Sequence, residues 1–146
     1  LCEAQDVCLR TCFSKSFCLS ADVTAAFDPN YPDVSDKRNE AKINYGVGIS
    51  KYTGARGKSG TSDASAEIVA YIRRIFAENG VVWQMCELGK VDQGGGGTIA
   101  YIMANYNMDV VDLGVPVLSM HAPCEVVSKT DVYMTYKAYN TFYNKY

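Results

Sequence analysis

The 146-residue chain has one histidine, one tryptophan and four prolines, and its net charge is only −2. With so small a charge, no basic face marks a nucleic acid or an anionic membrane as partner. No apolar run approaches the length of a membrane span, and the sequence shows no secretory signal pattern; a cytoplasmic location is the expectation. The first residues, LCEAQDVCLRTCFSKSFCLS, read as the inside of an element, so the chain is expected to be a piece of something longer.

What is present suits a globular domain: 48% apolar and 21% charged residues, in a length that supports one real core. Of the six cysteines, Cys2, Cys8, Cys12 and Cys18 fall in the first 18 residues. Their spacing lacks the CxxC pairs of a structural zinc site, and a disulfide framework suits secreted chains. Reduced thiols acting as small apolar side chains are the favoured reading, with Cys8 and Cys12 on one face of a helix. Cys124 stands three residues from His121, a spacing that matches no nucleophile signature.

Hydrophobic patterning alternates strands with helices. Strands are expected over 17–22, 43–52, 81–88 and 109–120, with Gly46 and Gly48 marking a bulge or close approach in the second and Gly114 and Pro116 inside the fourth. Residues 28–40 form a polar loop. Ile68, Val69, Ile72, Ile75 and Phe76 predict a helix capped by Ser62 or Asp63 and ended by Asn79-Gly80. A further helix carries Ile99, Ile102, Met103 and Tyr106. A last one, capped by Ser128 or Thr130, has Val132, Tyr136, Tyr139 and Tyr143 on one face. This order predicts an α/β fold of three layers around a largely parallel central sheet.

Two glycine-rich loops interrupt the pattern. GARGKS misses the phosphate-binding motif, because Tyr52 occupies the place of its first glycine. It remains a basic loop in which Lys51 or Lys58 can meet a carboxylate or carbonyl oxygen. The second loop, DQGGGGT, orders four successive glycines at a high entropic cost, which close backbone approach to a ligand or another chain would justify.

In an open α/β sheet, ligands bind beyond the carboxyl ends of the strands. Asp22 and His121 each close a predicted strand there. Together they make half of a metal site, since a catalytic zinc takes about three protein ligands. Glu87, Asp92 and Glu125 are further carboxylates that no spacing requires.

Four blocks, SADVTAAFDPNYPD, KYTGARGKSGTSDASAE, ELGKVDQGGGGTIAYIMAN and DVVDLGVPVLSMHAPCEVVSKTDVYMTYKAY, resemble the C-terminal part of zinc aminopeptidases of the aspartyl aminopeptidase and vacuolar aminopeptidase I family. The resemblance implies part of a zinc-exopeptidase catalytic domain spanning 1–146. It implies two zinc ions per active site in the complete enzyme and removal of the N-terminal residue from a peptide substrate. By it, Asp22 binds one zinc and His121 the other, while the remaining ligands and the general base precede this chain, leaving the isolated chain without activity. Lys51, Gly96 and Gly97 are implied to line the substrate cleft, and a homo-oligomer, a dodecamer, is implied for the complete enzyme. Ala25 stands where acid-selective members carry a histidine, which weakens a preference for N-terminal Asp or Glu. The competing readings are a non-catalytic fragment without a complete metal site, and a thiol or zinc-knuckle interaction module built on Cys2 to Cys18.

Overall fold

The computed structural model describes residues 8–55, 59–90 and 96–146. Its elements are α1 (Leu9–Phe13), β1 (Phe17–Ala25), β2 (Val47–Ser50), β3 (Tyr52–Ala55), β4 (Ser59–Asp63), α2 (Ala66–Glu78), β5 (Trp83–Cys86), α3 (Ala100–Ala104), β6 (Asp109–Leu118), β7 (Val126–Val127) and α4 (Lys129–Lys145). The main sheet runs β1-β6-β2-β5, with β7 added along β6. β1 and β6 pair in parallel over nine positions, and β2 and β5 over four. An antiparallel seam of three positions joins β2 to β6, and β7 adds two antiparallel positions. The α/β sheet is therefore mixed and mainly parallel.

The two sheet faces differ in chemistry. Val47, Ile49, Val111 and Leu113 point to one face, where they meet Ile72 and Phe76 of α2 and Ala138 and Phe142 of α4. Ile72, Phe76, Val47 and Ile49 are wholly buried, and each such side chain stabilises the fold by roughly 1.5–3 kcal/mol. Alternation sends Ser20, Asp22 and Thr24 of β1, Ser50 of β2, Cys86 of β5 and Asp112 of β6 to the other face. Thr53 of β3 and Thr98, just before α3, lie over that polar face.

α2 begins later than its sequence suggests. Ser65 is the N-cap, its hydroxyl accepting the Ile68 amide at 3.3 Å. Ser62 and Asp63 belong instead to β4, which forms a hairpin with β3 across the glycine-rich loop. That segment carries β-forming Tyr52, Thr53 and Thr61, and its pairing overrides the turn-like composition. The helix ends as expected at Asn79-Gly80, with Gly80 at φ +63° and the Val81 amide reaching back to Phe76 O at 2.9 Å. β1 continues three residues beyond the expected 22, because β6 offers partners as far as Val117.

Ser128 occupies the N-cap position of α4 without a side-chain capping hydrogen bond, and the helix turns inward a face other than the one carrying Val132, Tyr136 and Tyr143. Asp131, Thr135, Ala138 and Phe142 are buried, whereas Val132, Tyr136 and Tyr143 are exposed. The inward carboxylate is tolerated because Asp131 accepts the amides of Asn44 at 2.8 Å and Gly46 at 2.9 Å. Of the four residues that share the outer stripe, Tyr139 alone reaches the sheet, donating from its hydroxyl to Leu113 O at 3.1 Å. Gly46 has no substitute: its φ is +85°, and a Cβ there would lie 2.1 Å from Val82 O.

Candidate metal and substrate site

Asp22 lies three residues before the carboxyl end of β1 and faces Gly114 of β6 in register. The two backbones meet there without an intervening side chain. A Cβ on Gly114 would sit 2.2 Å from the Asp22 carbonyl oxygen, so glycine at 114 fixes how closely the strand carrying Asp22 can approach. The Asp22 residue is exposed, and its Oδ1 accepts the Val23 amide at 2.7 Å. Burial pushes the Tyr139 hydroxyl pKa above its ordinary value, and the charges of Asp22 and Tyr143 push it further.

His121 follows the carboxyl end of β6, four residues past the last β1–β6 pair at Val117. The chain turns sharply to place it. Ser119 (φ +58°) and His121 (φ +67°) are both left-handed without being glycine, a strained arrangement that concentrates at functional sites. The turn is held by the Ala122 amide donating to Ser119 O at 3.0 Å and the His121 amide donating to the Glu125 carboxylate at 2.5 Å. Glu125 thus supports the histidine backbone. Cys124, also exposed, shares this turn.

Asp22 thus lies in the carboxyl-terminal half of β1, and His121 lies beyond the carboxyl end of the neighbouring parallel strand β6, seven residues past Gly114, the register partner of Asp22. They are an oxygen and a nitrogen donor of the kind zinc takes, but two donors fall short of the three that a catalytic zinc needs. No group of three or more His, Cys, Asp and Glu able to hold a metal occurs among the described residues. The donors present fit part of a zinc site. The cysteine alternatives gain nothing: Cys8, Cys18, Cys86 and Cys124 form no disulfide, and Cys2 lies outside the described residues.

Lys51 follows β2 directly, and its ammonium pairs with the Asp63 carboxylate at the foot of the β3–β4 hairpin. With Asn39, Met85, Cys86 and Glu87 it lines a cavity of about 150 Å³. Lys58 and Asp92 lie outside the described residues, as does the start of the glycine run. Of that run, Gly96 packs on Leu88, where a Cβ would come within 2.7 Å of Leu88 Cδ2. Gly97 lies beside β4, with Gly60 O 3.7 Å from where its Cβ would be. The two glycine-rich loops, distant in sequence, thus meet in space.

The polar face beneath these loops carries groups that the sequence reading passed over. Asp112 interrupts the apolar run VVDLGVPVL at a position facing away from the helices, and it is buried. That interruption is the available signal. Glu40 is also buried, its Oε2 without a partner. Burial pushes its carboxyl pKa up, a Ser35 hydrogen bond opposes that, and the Asp36 charge adds to it. Burial likewise raises the Cys86 thiol, although Ser50 and Thr24 lie at hydrogen-bonding distance from its sulfur. Cys18 is raised by burial and then by the charge of Asp112.

Comparison with known proteins gives this arrangement a family. The profile of the aminopeptidase I zinc metalloprotease family, M18, matches residues 3–143. The chain belongs to the M18 family. A Clostridium acetobutylicum protein named "Probable M18 family aminopeptidase 1" is 57% identical over 136 residues, covering 93% of this chain and 29% of the relative. One of the same name from Thermotoga maritima is 53% identical over 127 residues, covering 87% of this chain and 28% of the relative. The crystal structure of a T. maritima M18 aminopeptidase superposes with a TM-score of 0.88 at 47% identity, over 95% of this chain and 32% of that one. The S. cerevisiae mApe1 dodecamer superposes at 0.75 with 26% identity, over 95% and 29% respectively. This M18 chain therefore spans under a third of the length of these relatives. No helix among the described residues is long and apolar enough to cross a membrane.

Proposed function

We propose that this chain is the C-terminal part of the catalytic domain of a zinc aminopeptidase, to which it contributes Asp22 and His121 as metal ligands. The observation that carries the reading is their placement: two donors of the right chemistry, one in the carboxyl-terminal half of β1 and one just past the end of its parallel neighbour β6, in a chain of the M18 family. The left-handed backbone at Ser119 and His121 supports it, since such strain accompanies a functional constraint.

In this reading Asp22 supplies a carboxylate oxygen and His121 an imidazole nitrogen. A bound zinc pair supplies Lewis acidity and lowers the pKa of a coordinated water. Glu125 holds the turn that aims His121. Lys51, with Gly96 and Gly97 on the facing loops, binds the peptide backbone, the lysine exchanging its Asp63 partner for a carbonyl or carboxylate of the substrate. The remaining ligands and the general base come from a part of the protein outside these 146 residues, so the isolated chain is inactive. The substrate is a peptide with a free N-terminus, preferably neutral because Ala25 offers no cationic partner to an acidic side chain. We further propose that the complete enzyme works in the cytoplasm as a homo-dodecamer, as the mApe1 relative's dodecameric structure suggests.

The test is release of chromophore from Leu- and Asp-terminated substrates by the intact protein, before and after chelation, with zinc added back. Chelator-sensitive release that zinc restores, faster for the Leu substrate, supports the proposal. Release that survives chelation contradicts it.

A further inference from the structure

The chain on both sides of Lys51 converges on one buried carboxylate. Ser50, the last residue of β2, is the register partner of Asp112 in the antiparallel seam with β6. Thr53, in β3, donates from Oγ1 to Asp112 Oδ2 at 3.1 Å. From 50 to 53 the chain thus leaves Asp112 and returns to it, with Lys51 and Tyr52 between. Among the described residues, the Thr53 bond is the side-chain hydrogen bond that ties the β3–β4 hairpin to the main sheet.

Both partners are buried, Thr53 at 4% and Asp112 at 7% exposed. Asp112 Oδ1 is buried without a partner. An apolar side chain of similar size would avoid that cost, so stability alone does not account for a carboxylate here. Asp112 lines the same small cavity as Asp22, together with Thr98. It lies two positions before Gly114, the register partner of Asp22. Asp112 is therefore part of the floor of the site that holds Asp22.

We propose that Asp112 is a positioning residue for substrate binding, fixing the hairpin through Thr53 and so holding the Lys51 ammonium over the site, a role that rests on the reading of Lys51 as a substrate-binding residue. A hydroxyl bound to a carboxylate is held more firmly than one bound to a neutral acceptor. The Lys51–Asp63 pair closes the foot of the same hairpin, so movement of β3 and β4 moves the lysine with them. A loosened hairpin weakens binding of the substrate and leaves Asp22 and His121 in place, which separates KM from kcat.

The experiment is steady-state kinetics of the intact protein on a Leu-terminated chromogenic substrate, with zinc analysis and hydrogen exchange of the β3 and β4 amides. Thr53→Val keeps the shape of the side chain and removes the donor. It is expected to raise KM about tenfold, with kcat within about threefold and zinc content unchanged. Thr53→Ser restores the donor and is expected to restore KM. In a Lys51→Ala background, Thr53→Val is expected to add little, because both act through one ammonium. Exchange in β3 and β4 is expected to quicken about tenfold in Thr53→Val and to return in Thr53→Ser, with α2 and β6 protected as before. Asp112→Asn, a milder variant that makes the acceptor neutral, is expected to raise KM and exchange about threefold. Unchanged KM or exchange in Thr53→Val, or in Asp112→Asn where Thr53→Val does not fold, overturns the proposal. So does a full KM effect in the Lys51→Ala background, or a loss of zinc and kcat at constant KM, which would mean that Asp112 acts on Asp22. Release that survives chelation would refute the zinc reading instead, and the exchange rates and the Lys51 comparison would still decide the role of Asp112.

Discussion

Replacing Gly114 with alanine probes how the fold holds Asp22. The new Cβ would begin 2.2 Å from the Asp22 carbonyl oxygen, 2.8 Å from its carbonyl carbon and 2.9 Å from that of Val23. All three are backbone atoms, so no side chain can swing aside. To reach even 3.0 Å from the oxygen, β1 must retreat from β6 by about 0.8 Å, a contact distance real Cβ atoms seldom undercut. Ladder hydrogen bonds near 2.9 Å then stretch beyond useful length. Overpacking of this kind costs about 1–3 kcal/mol, or roughly 2–12 °C in Tm for a chain of this size. The displacement also exceeds the tolerance of about 0.2 Å on zinc–ligand distances. Gly114→Ala in the intact protein should therefore lower Tm and weaken zinc binding together, measured by calorimetry and by zinc content after dialysis. Unchanged Tm, zinc content and turnover would refute the argument that glycine is required for the approach of β1.

Three further outcomes follow from the same geometry. Asp131→Ala leaves the Asn44 and Gly46 amides without their acceptor and should destabilise by about 1–3 kcal/mol, read as a lower urea midpoint. Glu40 has its carboxyl pKa raised by burial, so the folded state binds its proton more tightly than the unfolded chain. Its contribution is full below the ordinary glutamate value and is lost as pH rises through the raised one; Glu40→Gln should increase Tm at pH 7 and change it little at pH 4. Tyr143→Ser, at a residue 80% exposed, should alter stability by less than about 0.5 kcal/mol, and a larger loss would mean that the outer face of α4 is covered.

The strand and helix order was legible because apolar spacing reports burial. Ile72 and Phe76 at helical spacing are core residues, and the apolar run ending at Leu118 is β6, buried on both faces. The hairpin at 52–63 was hidden because glycine and serine dominate its composition, while strand pairing is decided by partners elsewhere in the chain. The inward face of α4 was not legible for a related reason. A carboxylate and two threonines look like solvent residues until the amides of Asn44 and Gly46, 85 or more positions away, are seen to satisfy Asp131. Asp22 and His121 were visible as polar residues ending apolar strands. That they lie on neighbouring strands was not, since the parallel pairing of β1 and β6 joins segments about 90 residues apart.

The central claim is that Asp22 and His121 hold zinc in the complete enzyme. Metal analysis of the intact protein after dialysis against a weak chelator, compared with His121→Ala of matched Tm, tests it most directly. The account predicts two zinc ions per active site in the unaltered protein and a loss of one or both in the variant, with turnover falling at least a hundredfold, beyond the 10–100-fold that loss of outer-shell support gives. Equal zinc content and equal turnover in the two proteins would contradict it.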